Sequence, residues 1–214
     1  MLVKIKNHKG YCMKIYDTKT APTPRRVRIF LAEKGIDIEY VQIDLAKGEN
    51  LSPKMRAKNP IGKVPVLELD DGSCIGESDA ICLYFESLHP QPALMGVTPL
   101  EKGTIAMWQR QIEMCLFNQI GMCFQHTSGY FKDRMTPVPE FGKVSGINAS
   151  KYLQVLEKRL ATNAFMAGDS FSIADITAFC AVDFARVVDI RLDDQQINLQ
   201  RWYKQMSQRP SASA

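Results

Sequence analysis

Val64-Pro65 and Ser78 are the residues of this sequence best placed to do chemistry. Proline inside a strand removes a ladder hydrogen bond, so it belongs at a strand start, an edge or a bulge. A trans proline at a strand start is the ordinary reading of Pro65. A cis Val64-Pro65 bond would instead turn the Val64 N–H and C=O outward, free to pair with an extended peptide. Gly76-Glu77-Ser78-Asp79 reads as the opening of a helix, with acceptors and small residues where a helix N-terminus favours them. The free N–H groups and positive dipole end of such a helix suit a carboxylate. Val64 and Ser78 together could therefore hold a small peptide by its backbone and by one anionic end.

The elements that must position them read from the same stretch, Asn59 to Asp79. Pro60 and Gly62 make a turn. Val64 to Leu69 is a strand, Asp71-Gly72 a tight hairpin turn, and Ser73 to Ile75 a second short strand. A helix follows from Ser78 to about Leu88. Upstream, Met13 to Tyr16 alternates as a strand. Thr23-Pro24 reads as N-cap and first position of a helix running to Lys34, with Gly35 closing it. Ile38 to Leu45 is a second strand. Lys47 to Lys58 is polar, with a short helical turn after Ser52-Pro53. Strand–helix–strand implies a parallel pair with a right-handed crossover, and the later hairpin adds an antiparallel edge.

The 214 residues suffice for two small domains, and 45% hydrophobic with 23% charged residues is normal for a chain with a packed core. A net charge of +4 and no long Lys/Arg cluster argue against nucleic-acid binding. The six cysteines form no Cys-x-x-Cys pair, and no metal-ligand spacing is present. No signal peptide and no run of membrane-spanning length are visible. A cytoplasmic protein with reduced thiols and no membrane partner is expected. Residues 1–12 look like a flexible extension.

His89 to Thr98 is proline-rich and lacks periodicity, which sets a linker at 90–99 between domains at 13–89 and 100–208. Thr98-Pro99-Leu100-Glu101 is a capping box. The helix it opens runs to about Gln125. Thr136-Pro137-Val138-Pro139 separates it from a helix at roughly Gly146 to Thr162. Ser172-Ile173-Ala174-Asp175 is a second capping box. Its helix, Ile173 to Val188, is apolar nearly all round and should be the buried centre of an all-helical domain. Ile197 to Gln208 is the last helix.

KVPVLELDDG followed by GESDAI resembles the glutathione-binding half of the cytosolic glutathione transferases, bacterial type. Phe165 to Asp169 followed by Ser172 to Asp175 resembles the family's cap on its central buried helix. Ala21-Pro22-Thr23-Pro24-Arg25-Arg26-Val27-Arg28 resembles its Ser-Pro-Asn-x-Arg-x-Val-Arg opening. The resemblance covers Met13 to the C-terminus. It implies a thioredoxin-like N-terminal domain followed by a helical-bundle domain, a homodimer, and glutathione as co-substrate without metal. Glu77 would pair the γ-glutamyl ammonium, and Ser78 with the helix end its carboxylate. Val64, beside Pro65, would pair the cysteinyl backbone, with Lys63 and Asn50 near the glycine carboxylate. A second, electrophilic substrate would lie against the first helix of the helical domain, at Met107, Gln111, Met114 and Phe117.

Thiol activation is where this sequence departs. Ala21 stands where many classes place a Ser or Cys, which leaves Thr20 and Thr23 as the nearby hydroxyls. A cysteine thiol near 8.5 needs a shift of about 2 units, or about 2.7 kcal/mol, to ionise at neutral pH. A neutral hydroxyl supplies about 0.5–1.5 kcal/mol and a helix N-terminus about 0.3–1 kcal/mol. The resemblance implies conjugation of glutathione to small, mostly apolar electrophiles in detoxification. Two alternatives stay open. Ala-Pro-Thr-Pro resembles the nu class, which implies glutathione-dependent disulfide reduction. Ala21 fits a non-enzymatic binding or regulatory protein that keeps the fold.

Overall fold

The computed structural model describes residues 3–4 and 13–214. They divide into two compact units that part between Ala93 and Leu94.

The first unit carries the strands. β1 (Val3–Lys4) pairs in parallel with β3 (Ile36–Asp37), and the rest of the 1–12 segment lies outside the described residues. A four-stranded sheet has the order β4-β2-β5-β6, with β2 (Lys14–Asp17), β4 (Glu39–Gln42), β5 (Val66–Glu68) and β6 (Cys74–Gly76). β2 and β4 are parallel, joined by α1 (Pro22–Glu33); β5 and β6 run antiparallel to form the edge. This is the thioredoxin-like arrangement. α2 (Pro53–Lys58) starts at Ser52, whose hydroxyl accepts the Met55 N–H at 3.3 Å. α3 (Ser78–Leu88) follows β6 directly. α1 and α3 pack against each other, while Tyr16, Ile43, Met55, Val64 and Val66 form the apolar cluster that takes in α2.

Three sequence expectations shift here. The expected strand over 38–45 is shorter, Glu39–Gln42 joining β2, and Ile36–Asp37 before it forms a separate strand on β1. The Val64-Pro65 bond is cis, as is Gln91-Pro92. α1 starts at Pro22 with Ala21 as its N-cap, so Thr23 is the second helical residue and not the cap. Proline's fixed φ suits the first helical position at Pro22 as well as it would at Pro24.

The end of α1 is fixed by an ion pair. Lys34, whose side chain is fully buried, places its Nζ 2.7 Å from Glu86 of α3. It also donates to the His89 carbonyl at 2.7 Å and to the Pro92 carbonyl at 2.8 Å.

The second unit is all helical. α4 (Pro99–Ile112) opens with the expected capping box, Thr98 accepting the Glu101 N–H at 3.2 Å and Glu101 accepting the Thr98 N–H at 3.0 Å. The helix expected to run to Gln125 is interrupted by a π-helical turn at Glu113–Phe117 before α5 (Asn118–Thr127). Such turns are rare and recur at functional sites. α6 (Pro139–Leu160) starts seven residues before the expected Gly146. Its glycines are helical because α5 lies against them. A Cβ at Gly142 would stand 2.7 Å from the Thr127 methyl, and one at Gly146 would stand 3.1 Å from Cys123 Sγ.

α7 (Ile173–Ala185) is buried along nearly its whole length. Asp175, fully buried, organises its start. Its carboxylate accepts the Met166 N–H at 2.9 Å, the Ser172 N–H at 3.0 Å, the Ser172 hydroxyl at 3.2 Å and Trp202 Nε1 of α8 (Ile197–Ser207) at 2.9 Å. The expected capping box between Ser172 and Asp175 is present, and the Ser172 hydroxyl proton adds a further bond to the carboxylate.

Candidate active site

Strand register brings the candidate residues together. Val66 pairs with both Tyr16 of β2 and Gly76 of β6. The residues leaving β2, entering β5 and leaving β6 therefore share one end of the sheet. That end carries the loop before α1 with Thr20, the cis Val64-Pro65 segment, and Glu77-Ser78 at the start of α3.

The loop before α1 is held by Arg28. Its guanidinium donates to Asp17 at 2.6 Å, to the Thr18 carbonyl at 3.5 Å and to the Lys19 carbonyl at 3.1 Å. Gln42 donates to the second Asp17 oxygen at 2.8 Å. A single arginine thus ties the strand end and two loop carbonyls to the helix. Sequence reasoning placed Arg28 only in the opening motif and gave it no role.

Thr23 donates its hydroxyl to the Val64 carbonyl at 3.2 Å. Its one proton is then committed to the peptide-binding segment. The Val64 oxygen keeps a second lone pair for a ligand N–H. Pro22 and Pro24 have no N–H, so of the first three helical positions Thr23 alone supplies a backbone donor. Thr20 is exposed on the preceding turn.

The segment leading to Val64 is gripped from outside. The Pro60 carbonyl accepts from Arg56 at 3.1 Å, Gly62 from Asn50 at 2.6 Å and Lys63 from Asn59 at 3.0 Å. With Thr23 on Val64, four carbonyls within five residues are held by side chains. Gly62 has φ +64, and a Cβ there would lie 3.0 Å from Leu51 and 3.2 Å from the Asn50 carbonyl. Only glycine fits both demands. Asn50 thus commits an amide N–H to shaping this turn, while Lys63 projects an exposed side chain.

At α3, Glu77 has φ +64 and serves as N-cap residue without capping through its side chain. Positive φ at a residue with a Cβ is uncommon and clusters at ligand clamps. Its carboxylate is exposed, and Ser78 beside it is buried at 4%. The first backbone bond of α3 is Ile81 N–H to Glu77 C=O at 3.0 Å. The amides of Ser78, Asp79 and Ala80 precede that bond and point along the positive end of the helix. The site can therefore hold a carboxylate at Ser78, an ammonium at Glu77 and a peptide backbone at Val64.

Tyr16, a phenol on β2, is excluded as a thiol activator. It donates to Glu68 at 2.6 Å. Burial, and then the bond to the Glu68 carboxylate, push its hydroxyl up from the usual value, the wrong direction for a group that must stabilise a neighbouring anion. Burial pushes Glu68 up, but the bonds from Lys58 and Tyr16 outweigh it and hold the carboxyl below its usual range. Lys58 lies 2.7 Å from Glu68, fixing α2 to the sheet.

In the helical unit, Met107, Gln111 and Met114 expose side chains along α4 and the π-helical turn, and Phe117 is half-buried. The described cysteines are free thiols, and among the described residues no group of His, Cys, Asp and Glu could hold a metal. No helix among them is long and apolar enough to cross a membrane.

Residues 15–93 match the family model of the glutathione S-transferase N-terminal domain, and residues 147–210 that of the C-terminal domain. The chain is 41% identical to glutathione S-transferase 2 of Saccharomyces cerevisiae over 93% of its length and 87% of that protein. The chain belongs to the glutathione S-transferase family. Its fold superposes on the crystal structure of Gtt2 from Saccharomyces cerevisiae with a TM-score of 0.88 at 40% identity, covering 94% of this chain and 98% of that one. A glutathione S-transferase domain-containing protein of Marinobacter aquaeolei gives 0.89 at 39%, covering 92% and 98%. A glutathione S-transferase of class Gtt2 from Vibrio parahaemolyticus gives 0.82 at 35%, covering 92% and 94%.

Proposed function

We propose that this glutathione S-transferase binds glutathione at the sheet end described above and transfers its thiolate to a small, mostly apolar electrophile. The observation that carries the reading is the pairing of a carboxylate-binding helix start at Ser78 with a backbone-binding segment at Val64 on adjacent strand ends. Glu77 takes the γ-glutamyl ammonium, Ser78 and the α3 amides its carboxylate, and Val64 the cysteinyl backbone. Lys63 and Asn50 lie toward the glycine end. The electrophile packs on Met107, Gln111, Met114 and Phe117. The working form is a cytoplasmic homodimer.

The sulfur then falls near the start of α1. With the Thr23 hydroxyl proton on Val64, the thiolate draws on the Thr23 N–H and the helix dipole, and Thr20 in the preceding loop is a further candidate hydroxyl. The ultraviolet absorbance of bound glutathione thiolate, followed against pH, tests the mechanism. A midpoint well below that of free glutathione is expected. Absence of a thiolate band near neutral pH at saturating glutathione would leave disulfide reduction or a binding role. Thr23→Val removes the hydroxyl but keeps the N–H and the helix end. It is expected to raise the midpoint by less than one unit, since the dipole's share of about 0.3–1 kcal/mol remains. It should weaken glutathione binding by about 0.5–1.5 kcal/mol through the unpartnered Val64 carbonyl. A full return of the midpoint to that of free glutathione would assign activation to the hydroxyl.

A further inference from the structure

Asn59 touches both halves of the proposed glutathione site. It is buried at 7% and closes α2, its N–H bonding to the Met55 carbonyl at 2.9 Å. Its own carbonyl accepts the Gly62 N–H at 2.9 Å, which fixes the turn. Its side-chain Nδ2 donates to the Lys63 carbonyl at 3.0 Å. That carbonyl and the Val64 N–H belong to one planar peptide unit, so holding the oxygen on one side aims the N–H on the other. The same amide lies over Gly76, where a Cβ would meet Nδ2 at 3.2 Å and Cγ at 3.5 Å. Gly76 is joined directly to Glu77, whose left-handed turn opens α3.

We propose that Asn59 is a positioning residue that couples the two arms of the site, holding the Lys63–Val64 peptide against the Gly76–Glu77 corner. This rests on the glutathione reading given above. Gly76 has a φ outside the left-handed region. An alanine there is therefore opposed by the Asn59 amide and not by its own backbone, which makes the pair separable by mutation.

The test is calorimetric titration of glutathione into the full chain and into Asn59→Ala, Gly76→Ala and the double variant, with steady-state kinetics alongside. Asn59→Ala is expected to weaken binding about fivefold to tenfold, the worth of one neutral hydrogen bond. Gly76→Ala should weaken it comparably. The double variant should bind no worse than Asn59→Ala alone, because removing the amide makes room for the new methyl. KM for glutathione should rise in each single variant while kcat at saturation stays within about twofold, since neither residue meets the sulfur. Unchanged affinity in Asn59→Ala, or a double-variant loss equal to the product of the single losses, overturns the coupling. If the unmutated chain takes up no glutathione, the reading beneath it fails instead, and the coupling with it. Gly76→Ala removes no hydrogen-bonding group of the Asn59 network, so it keeps the proposal testable even where Asn59→Ala folds poorly.

Discussion

Ser78→Ala is expected to lower glutathione affinity by one to two orders of magnitude. Ser78 is buried at the mouth of α3, so a bond from its hydroxyl to a ligand carboxylate is poorly screened. Hydrogen bonds to charged groups contribute about 1.5–3 kcal/mol, which is roughly 10–150-fold. The helix amides stay in place and keep part of the interaction. Glu77→Gln should cost less, about 0.2–1 kcal/mol, because the Glu77 carboxylate is exposed and its attraction to an ammonium is screened. The Glu77 effect should also fade with added salt, and the Ser78 effect should not. Titration of both variants at two ionic strengths checks the ranking. Equal losses, or a salt-insensitive Glu77, would overturn this assignment of the γ-glutamyl ammonium and carboxylate.

The second large effect concerns Asp175. Replacing it with alanine strands the Met166 N–H, the Ser172 N–H and Trp202 Nε1 in a dry interior. An abandoned buried donor costs about 1–3 kcal/mol, so three of them cost on the order of 5 kcal/mol. Whole domains hold only about 5–15 kcal/mol. Asp175→Ala should therefore leave the helical unit largely unfolded at physiological temperature, read as lost ellipticity and a collapsed unfolding midpoint. A variant melting within a few degrees of the unmutated chain would refute this.

The same residue gives a signed pH dependence. Burial pushes the Asp175 carboxyl up to about 6, against the opposing pull of its bonds from Met166, Trp202 and Ser172. In the unfolded chain it titrates near 3.9. The folded state thus binds the extra proton between those values. The group's contribution to stability is full below pH about 4 and is lost as pH rises through about 6, a swing of about 3 kcal/mol. Asp175→Asn cannot titrate. The stability gap between it and the unmutated chain should shift in that direction across the window, and a gap constant with pH would contradict the assignment.

Much of this architecture was legible in the chain. Asp71-Gly72 marked the hairpin because a tight turn needs glycine where φ is positive, and Gly72 sits at φ +86. Thr98 and Glu101 marked α4 because their polar atoms answer a local need of the backbone. What stayed illegible depends on neighbours distant in sequence. Gly142 and Gly146 look like helix breakers until α5 is seen lying on them. Thr23 looks like a cap until its hydroxyl is found on Val64, 41 residues away. Asn59 reads as an ordinary helix end before a proline. Nothing local says that its amide spans from the Lys63 carbonyl to Gly76. Val64 and Ser78, by contrast, were legible from the strand proline and the helix start, Glu77 took its role from motif resemblance, and their convergence follows from the pairing of Val66 with Gly76.

The carbonyls of Pro60, Gly62, Lys63 and Val64, each anchored by a side chain from elsewhere in the fold, bear on how a ligand arrives. A recognition segment already tethered at successive peptide groups loses little entropy when it is filled. Capture at this end of the sheet should then be a single-step event, with an observed rate that rises linearly with ligand concentration and shows no plateau from a slow isomerisation.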